Sequence, residues 1–158
     1  MRNNNKLNIA LEALRQTELH LEDFNNLASN ADQRAMALAG TLAAIAAILA
    51  TLSPSAPSPF LSYVSCGGFV VASFMAASSC MPRNFHVRGH RWEDWEGHLT
   101  DNDNFIDAVA SQAKENDGRI KDNFDDLKSA GDATRRSFIF AFWVFCFFLF
   151  SQVGAYIS

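Results

Sequence analysis

The sequence predicts an all-α membrane protein. Three transmembrane helices, entered from a cytoplasmic N-terminus and left at an outside C-terminus, carry two long amphipathic helices that extend into the cytoplasm. Three observations predict it. Residues 35–82 contain no Asp, Glu, Lys, Arg or His, and neither do residues 137–158, so all 13 Lys and Arg, 17 Asp and Glu and 4 His lie elsewhere. The basic residues occur only at 2–34 and 83–136. Both of those segments repeat apolar residues at helical spacing.

Residues 1–34 form the first cytoplasmic element. Leu7, Leu11, Leu14, Leu21, Phe24 and Ala28 recur every three, four or seven residues, the period of one helix face. No Pro or Gly interrupts the chain before Gly40, so this helix is expected to run directly into the first span.

Residues 35–82 form a transmembrane hairpin. A helix needs about 20 apolar residues to cross about 30 Å of hydrocarbon, and the run holds two such lengths on either side of SPSAPSP. The expected spans are 35–52 and 60–81. Gly40 and Ala44 in the first, and Gly68, Ala72 and Ala76 in the second, give small-residue surfaces that let helix backbones approach closely.

Residues 83–136 form a second cytoplasmic segment. It opens with FHVRGHRWEDWEGH, then carries a helix expected to start at Asp101 or Asp103 as N-cap and to bend or break near Gly118. Ile120, Phe124, Leu127 and Ala130 give that helix an apolar stripe to match the N-terminal one. Residues 137–158 form the third span. FIFAFWVFCFFLF is apolar all round, which suits lipid or a partner subunit better than a soluble core.

Orientation follows from the basic residues: placing all of them inside leaves SPSAPSP and the C-terminus outside. Cys66, Cys80 and Cys146 all fall within spans and give no disulfide framework.

Two groups of residues are candidates for function. Asp32 and Arg34 stand at the mouth of the first span, and Arg135 and Arg136 at the mouth of the third. Arg34 can snorkel to the headgroups, and Asp32 is placed to pair with Arg135 or Arg136; solvated boundary charges without a partner are the other reading. In the central segment Arg83, Arg88 and Arg91 can neutralise a phosphate while Trp92 or Trp95 stacks on a base. Trp and Arg just beyond a membrane exit also make an interfacial anchor.

His86, His90, Glu93 and His98 have metal-ligand spacing only if their segment is helical, which Gly89 and Gly97 disfavour, so no metal site is expected. No phosphate-binding glycine loop, nucleophile elbow or HExxH is present, and no enzyme activity is expected. A net charge of -4 with acids and bases mixed gives no nucleic-acid footprint.

NADQRAMALAG resembles the Ala-Asp-x-Lys/Arg-Ala element that opens the first span of the Pycsar-type transmembrane effectors, matched here by Ala31, Asp32, Arg34 and Ala35. The leading amphipathic helix, tight hairpin, Pro82-Arg83 exit and final span entered through IKDNFDDLKSAGDATRRSF follow the order of that family. The resemblance implies a bacterial antiphage effector in the cell inner membrane, paired with a nucleotide cyclase. A cyclic pyrimidine mononucleotide is then the ligand, abortive infection by membrane disruption the outcome, and a homo-oligomer the working form. A non-pore membrane scaffold that recruits a cytoplasmic partner fits the same residues.

Overall fold

A computed structural model of the chain describes residues 2–81, 85–100 and 104–157. It is helical throughout its regular structure. Helix α1 spans Arg2–Leu52, α2 Pro59–Ser78, α3 Trp92–Thr100 and α4 Phe105–Ile157, with one 3-10 turn at Ser53–Ser55. There is no strand among the described residues. The chain divides into two compact units. One comprises Met1–Ser29 and Arg83–Leu127, the other Asn30–Pro82 and Lys128–Ser158.

The length of α1 and α4 comes from a 3.5-residue pattern. In α1 the residues that escape full exposure include Leu7, Ala10, Leu14, Thr17, Leu21, Phe24 and Ala28, and the same alternation of three and four continues through Ala31, Ala35, Leu38, Leu42, Ile45 and Leu49. In α4 it runs from Val109 through Ala113, Asn116, Ile120, Asn123, Leu127 and Ala130 to Thr134, Ser137, Ala141, Val144 and Phe148. Such a repeat keeps one seam of each helix facing its neighbour, as in coiled coils. The boundary expected at residue 34 is therefore a change of composition inside a single helix.

In the first unit, Leu21 and Val109 are fully enclosed. Phe24 meets Phe124 edge-on, 6.3 Å between centroids at 86°, and Asn116 Nδ2 donates to Thr17 Oγ1 at 3.3 Å. Outside the seam, Glu12 accepts from Arg15 at 2.9 and 2.8 Å and from Gln16 at 2.7 Å. The Arg15 and Gln16 hydrogen bonds lower its carboxyl to about 2. This depressed value keeps Glu12 ionised in the helix as pH falls below the usual carboxylate range, and the pair's support for the helix is lost progressively as pH falls from about 4.5 toward 2.

The expected caps of α4, Asp101 and Asp103, lie outside the described residues; the helix starts at Phe105, and Asn104 Oδ1 accepts from the Ile106 amide at 3.3 Å. The helix also continues through Gly118, where an added Cβ would meet nothing within 4 Å. The expected glycine break is absent because the buried seam on either side holds its register. The segment around Gly97, expected to resist helix formation, is α3.

In the second unit, α2 rises about 30 Å over its 20 residues, the thickness of bilayer hydrocarbon. It ends before the expected residue 81. Pro54 and Pro57 break the chain between the spans, and Pro59 starts α2 at a position where a missing amide costs nothing. Three helices contain windows apolar enough to cross a membrane.

The core gathers Leu42 and Ala46 of α1, Phe69 and Ala72 of α2, and Ala141 of α4. Polar groups of the spans bond within the unit. Ser73 donates to Ala39 O at 2.8 Å, Ser137 to Ala72 O at 2.7 Å, and Gln152 joins Ser62 at 3.1 Å and the Ser58 amide at 3.3 Å. Around this core the large side chains face outward. Phe138, Phe142, Trp143, Phe150 and Tyr156 are all exposed, the surface a lipid solvent accepts.

Candidate functional site

The first unit holds a polar cleft of ≈ 570 Å³ built where the 85–91 loop folds against α3 and α4; His86, Arg88, His90, Arg91, Asp94 and Arg119 line it. Asn123 anchors the loop. Its buried side chain accepts from the His86 amide at 2.9 Å and donates to the His86 carbonyl at 2.8 Å, satisfying both backbone groups of that residue. Gly89 then turns the chain at φ +91°, a conformation that favours glycine.

Asp94 organises the charges. Its Oδ2 accepts the Arg91 amide at 2.9 Å, which caps α3 from the third helical position. It also stands 3.8 Å from Arg119 Nη2 and 3.7 Å from His90 Nδ1. Arg119 binds Glu115 at 2.6 Å and reaches the Gly89 carbonyl at 3.4 Å. Arg88 is held by Glu22 at 2.6 Å.

Two groups remain open. The Arg91 guanidinium has no ion-pair partner among the described residues. The His90 side chain is 1% exposed, yet neither ring nitrogen has a hydrogen-bond partner among the described residues, since 3.7 Å to Asp94 is beyond hydrogen-bond range. A buried imidazole without a partner is costly, and such a group in a cleft wall asks for a ligand or water.

The residues named from sequence separate here. Arg88 and Arg91 line the cleft. Trp95 does not, being packed edge-on between the rings of His90 at 6.3 Å and His98 at 6.4 Å. Arg83 and the Trp92 side chain lie outside the described residues. Arg119, Asp94 and Asn123 were not singled out from sequence. The signal for Asn123 and for Asn116 was available: polar residues seven apart on the seam that also carries Ile120 and Leu127. Among the described residues no three His, Cys, Asp or Glu side chains gather as metal ligands.

The second unit holds a smaller pocket of ≈ 390 Å³ at the charged mouth of its helices, lined by Asp32, Arg34, Leu38, Thr134, Arg135 and Phe138 among others. Asp32, Arg34 and Arg135 come together there from α1 and α4, whereas Arg136 is exposed outside it. None of these four side chains forms an ion pair among the described residues, so the expected pairing of Asp32 with Arg135 or Arg136 is not made. The Asp32 backbone carbonyl instead accepts the Cys80 thiol at 3.4 Å, and Ser79 shares a 2.9 Å hydrogen bond with Thr134. Of the small residues, Ala72 and Ala76 are buried and Gly68 lies against Val144, while Gly40 and Ala44 are exposed.

In comparison with known proteins, the family model described as "Pycsar effector protein domain" matches residues 16–157. No curated protein and no solved structure matches the chain.

Proposed function

The chain belongs to the Pycsar effector family and is an antiphage defence effector with membrane-spanning helices; from that premise we propose that a nucleotide signal, read in the cytoplasm, turns it into an agent of inner-membrane disruption. The observation that carries the proposal is the nearness of His90 and Arg91. A buried imidazole with no hydrogen-bond partner and a guanidinium with no counter-ion among the described residues lie in one polar cleft.

A cyclic pyrimidine mononucleotide offers what these groups lack. Its phosphate suits Arg91, with Arg88 and Arg119 adding positive potential. Its base or sugar offers a hydrogen-bond partner for His90. Arg88 and Arg119 are already committed to Glu22 and Glu115, so an arriving phosphate competes with those carboxylates. Because Glu22 is on α1 and Glu115 on α4, that competition acts on the two helices that also supply the first and third spans. A two-state assembly needs only a differential affinity of a few kcal/mol to be switched this way.

The proposal places the cleft and the N-terminus inside and the C-terminus outside, since every basic residue then falls on the cytoplasmic side. It takes the working form to be a homo-oligomer. No Asp, Glu, Lys, Arg or His lies in residues 35–82 or 137–158, so an aqueous path between subunits would be largely apolar and closed by dewetting at rest. The satisfied polar groups of the spans favour one other reading, a scaffold that never opens.

Calorimetric titration of the detergent-solubilised chain with cyclic pyrimidine mononucleotides tests the ligand. Binding is expected, weakened about tenfold or more in Arg91→Ala, the loss of one charge-assisted hydrogen bond. Equal affinity in Arg91→Ala contradicts the site, and no binding of any cyclic mononucleotide contradicts the ligand class.

A further inference from the structure

We propose that the pocket at the mouth of the membrane unit binds the headgroup of an amine-bearing glycerophospholipid, with its phosphate on Arg34 and Arg135 and its ammonium on Asp32. This is independent of the cleft and of any nucleotide.

Position comes first. Arg34 is the last charged residue before the uncharged run 35–82, and Arg135 stands two residues before the uncharged run 137–158. Two guanidinium groups from two helices therefore sit where hydrocarbon gives way to headgroups, within the reach of a lipid phosphate.

Charge comes second. The pocket holds both signs, yet Asp32, Arg34 and Arg135 form no ion pair with one another or with any described residue. A solute with a single charge would satisfy one sign and repel the other. A headgroup carrying phosphate and a primary ammonium a few bonds apart complements all three, and the ammonium brings three hydrogen-bond donors to the carboxylate.

The remaining wall is apolar. Leu38 and Phe138 lie one helical turn beyond Arg34 and just beyond Arg135, toward the spans, and line the same space. A free phosphate or a soluble amine has no use for them, whereas the start of an acyl chain does. The hydroxyls of Ser79 and Thr134 are bonded to each other, so they make no demand on the occupant. The volume, ≈ 390 Å³, lies in the roughly 300–1,000 Å³ range of small-molecule sites.

The test is native mass spectrometry of the delipidated full chain with phosphatidylethanolamine, phosphatidylcholine and phosphatidylglycerol of identical acyl chains. Phosphatidylethanolamine is expected to bind about tenfold more tightly than either, the worth of one charge-assisted hydrogen bond. Methylation removes the ammonium donors in phosphatidylcholine, and phosphatidylglycerol has no cation for Asp32. Asp32→Asn should erase the preference while leaving phosphatidylglycerol binding equal or stronger. Arg34→Gln with Arg135→Gln should weaken all three lipids together, with helix content unchanged by circular dichroism.

Equal retention of the three lipids by the wild type overturns the proposal without recourse to any variant. So does a preference for phosphatidylglycerol, which would make this a plain anion site. Displacement of the lipid by millimolar soluble phosphoethanolamine would assign the site to a free headgroup and overturn the role of the apolar wall.

Discussion

A Cβ added at Gly68 would lie 2.8 Å from Cγ2 and 2.9 Å from Cγ1 of Val144. Valine is held in one χ1 rotamer in a helix and cannot swing aside. Overpacking of this kind costs about 1–3 kcal/mol, while replacing glycine by alanine in a helix gains about 1 kcal/mol. Gly68→Ala should therefore lower thermal stability in detergent. In a Val144→Ala background, where the obstruction is gone, the same change should raise it. A stabilising effect in both backgrounds would show that α2 and α4 do not approach this closely. The spacing of Gly68, Ala72 and Ala76 made a close approach legible in the sequence. Its partner was not, because Val144 is embedded in a phenylalanine-rich run that composition alone assigns to lipid or a partner subunit. The charged residues read in the same uneven way. Arg88 and Arg91 stood out beside tryptophan, but Arg119 became part of the cleft only through the turn at Gly89 and the cap made by Asp94, neither of which leaves a spacing to recognise.

At the level of elements, the three spans were legible because charge is absent from them and prolines separate two of them. The continuity of α1 and α4 was only half legible. Gly118 suggested a break, since an isolated glycine weakens a helix, yet the seam from Val109 to Phe148 keeps its three-four alternation straight past it. Packing of that seam outweighs the local propensity. Gly118 is exposed with open space around its Cα. Gly118→Ala should accordingly stabilise the chain by about 0.5–1 kcal/mol, the usual helix-interior value, seen as a higher midpoint in thermal unfolding. A loss of stability would mean that the helix bends at 118 in solution. The short helix α3 was not legible. Nine residues with one glycine are too few for a helix by propensity, and the Asp94 cap and the edge-on packing of Trp95 between two histidines hold it in place.

At the scale of the whole molecule, the chain comprises one unit with a polar cleft and a second whose spans carry no Asp, Glu, Lys, Arg or His and expose large apolar side chains. Family membership supplies the biological setting, and the cleft is the place proposed for the signal. The buried polar side chains of the unit with the cleft, Gln112, Asn116 and Asn123, suit a part whose state can change, because polar residues in a seam specify register at a cost in stability. What the sequence could not convey is that His90 is enclosed without a hydrogen-bond partner among the described residues, since that depends on α3, the loop and α4 closing together. The central claim is that a cytoplasmic nucleotide signal acting at this cleft controls the membrane. Its most direct test is the potential across energised bacterial membrane vesicles containing the full chain, with a cyclic pyrimidine mononucleotide added outside. Inside-out vesicles, which present the cytoplasmic face, should depolarise on addition, right-side-out vesicles should not, and Arg91→Ala should shift the response to about tenfold higher nucleotide, the loss of one charge-assisted hydrogen bond. A potential that holds in both orientations at saturating nucleotide, or that collapses equally with wild type and Arg91→Ala, would contradict the account.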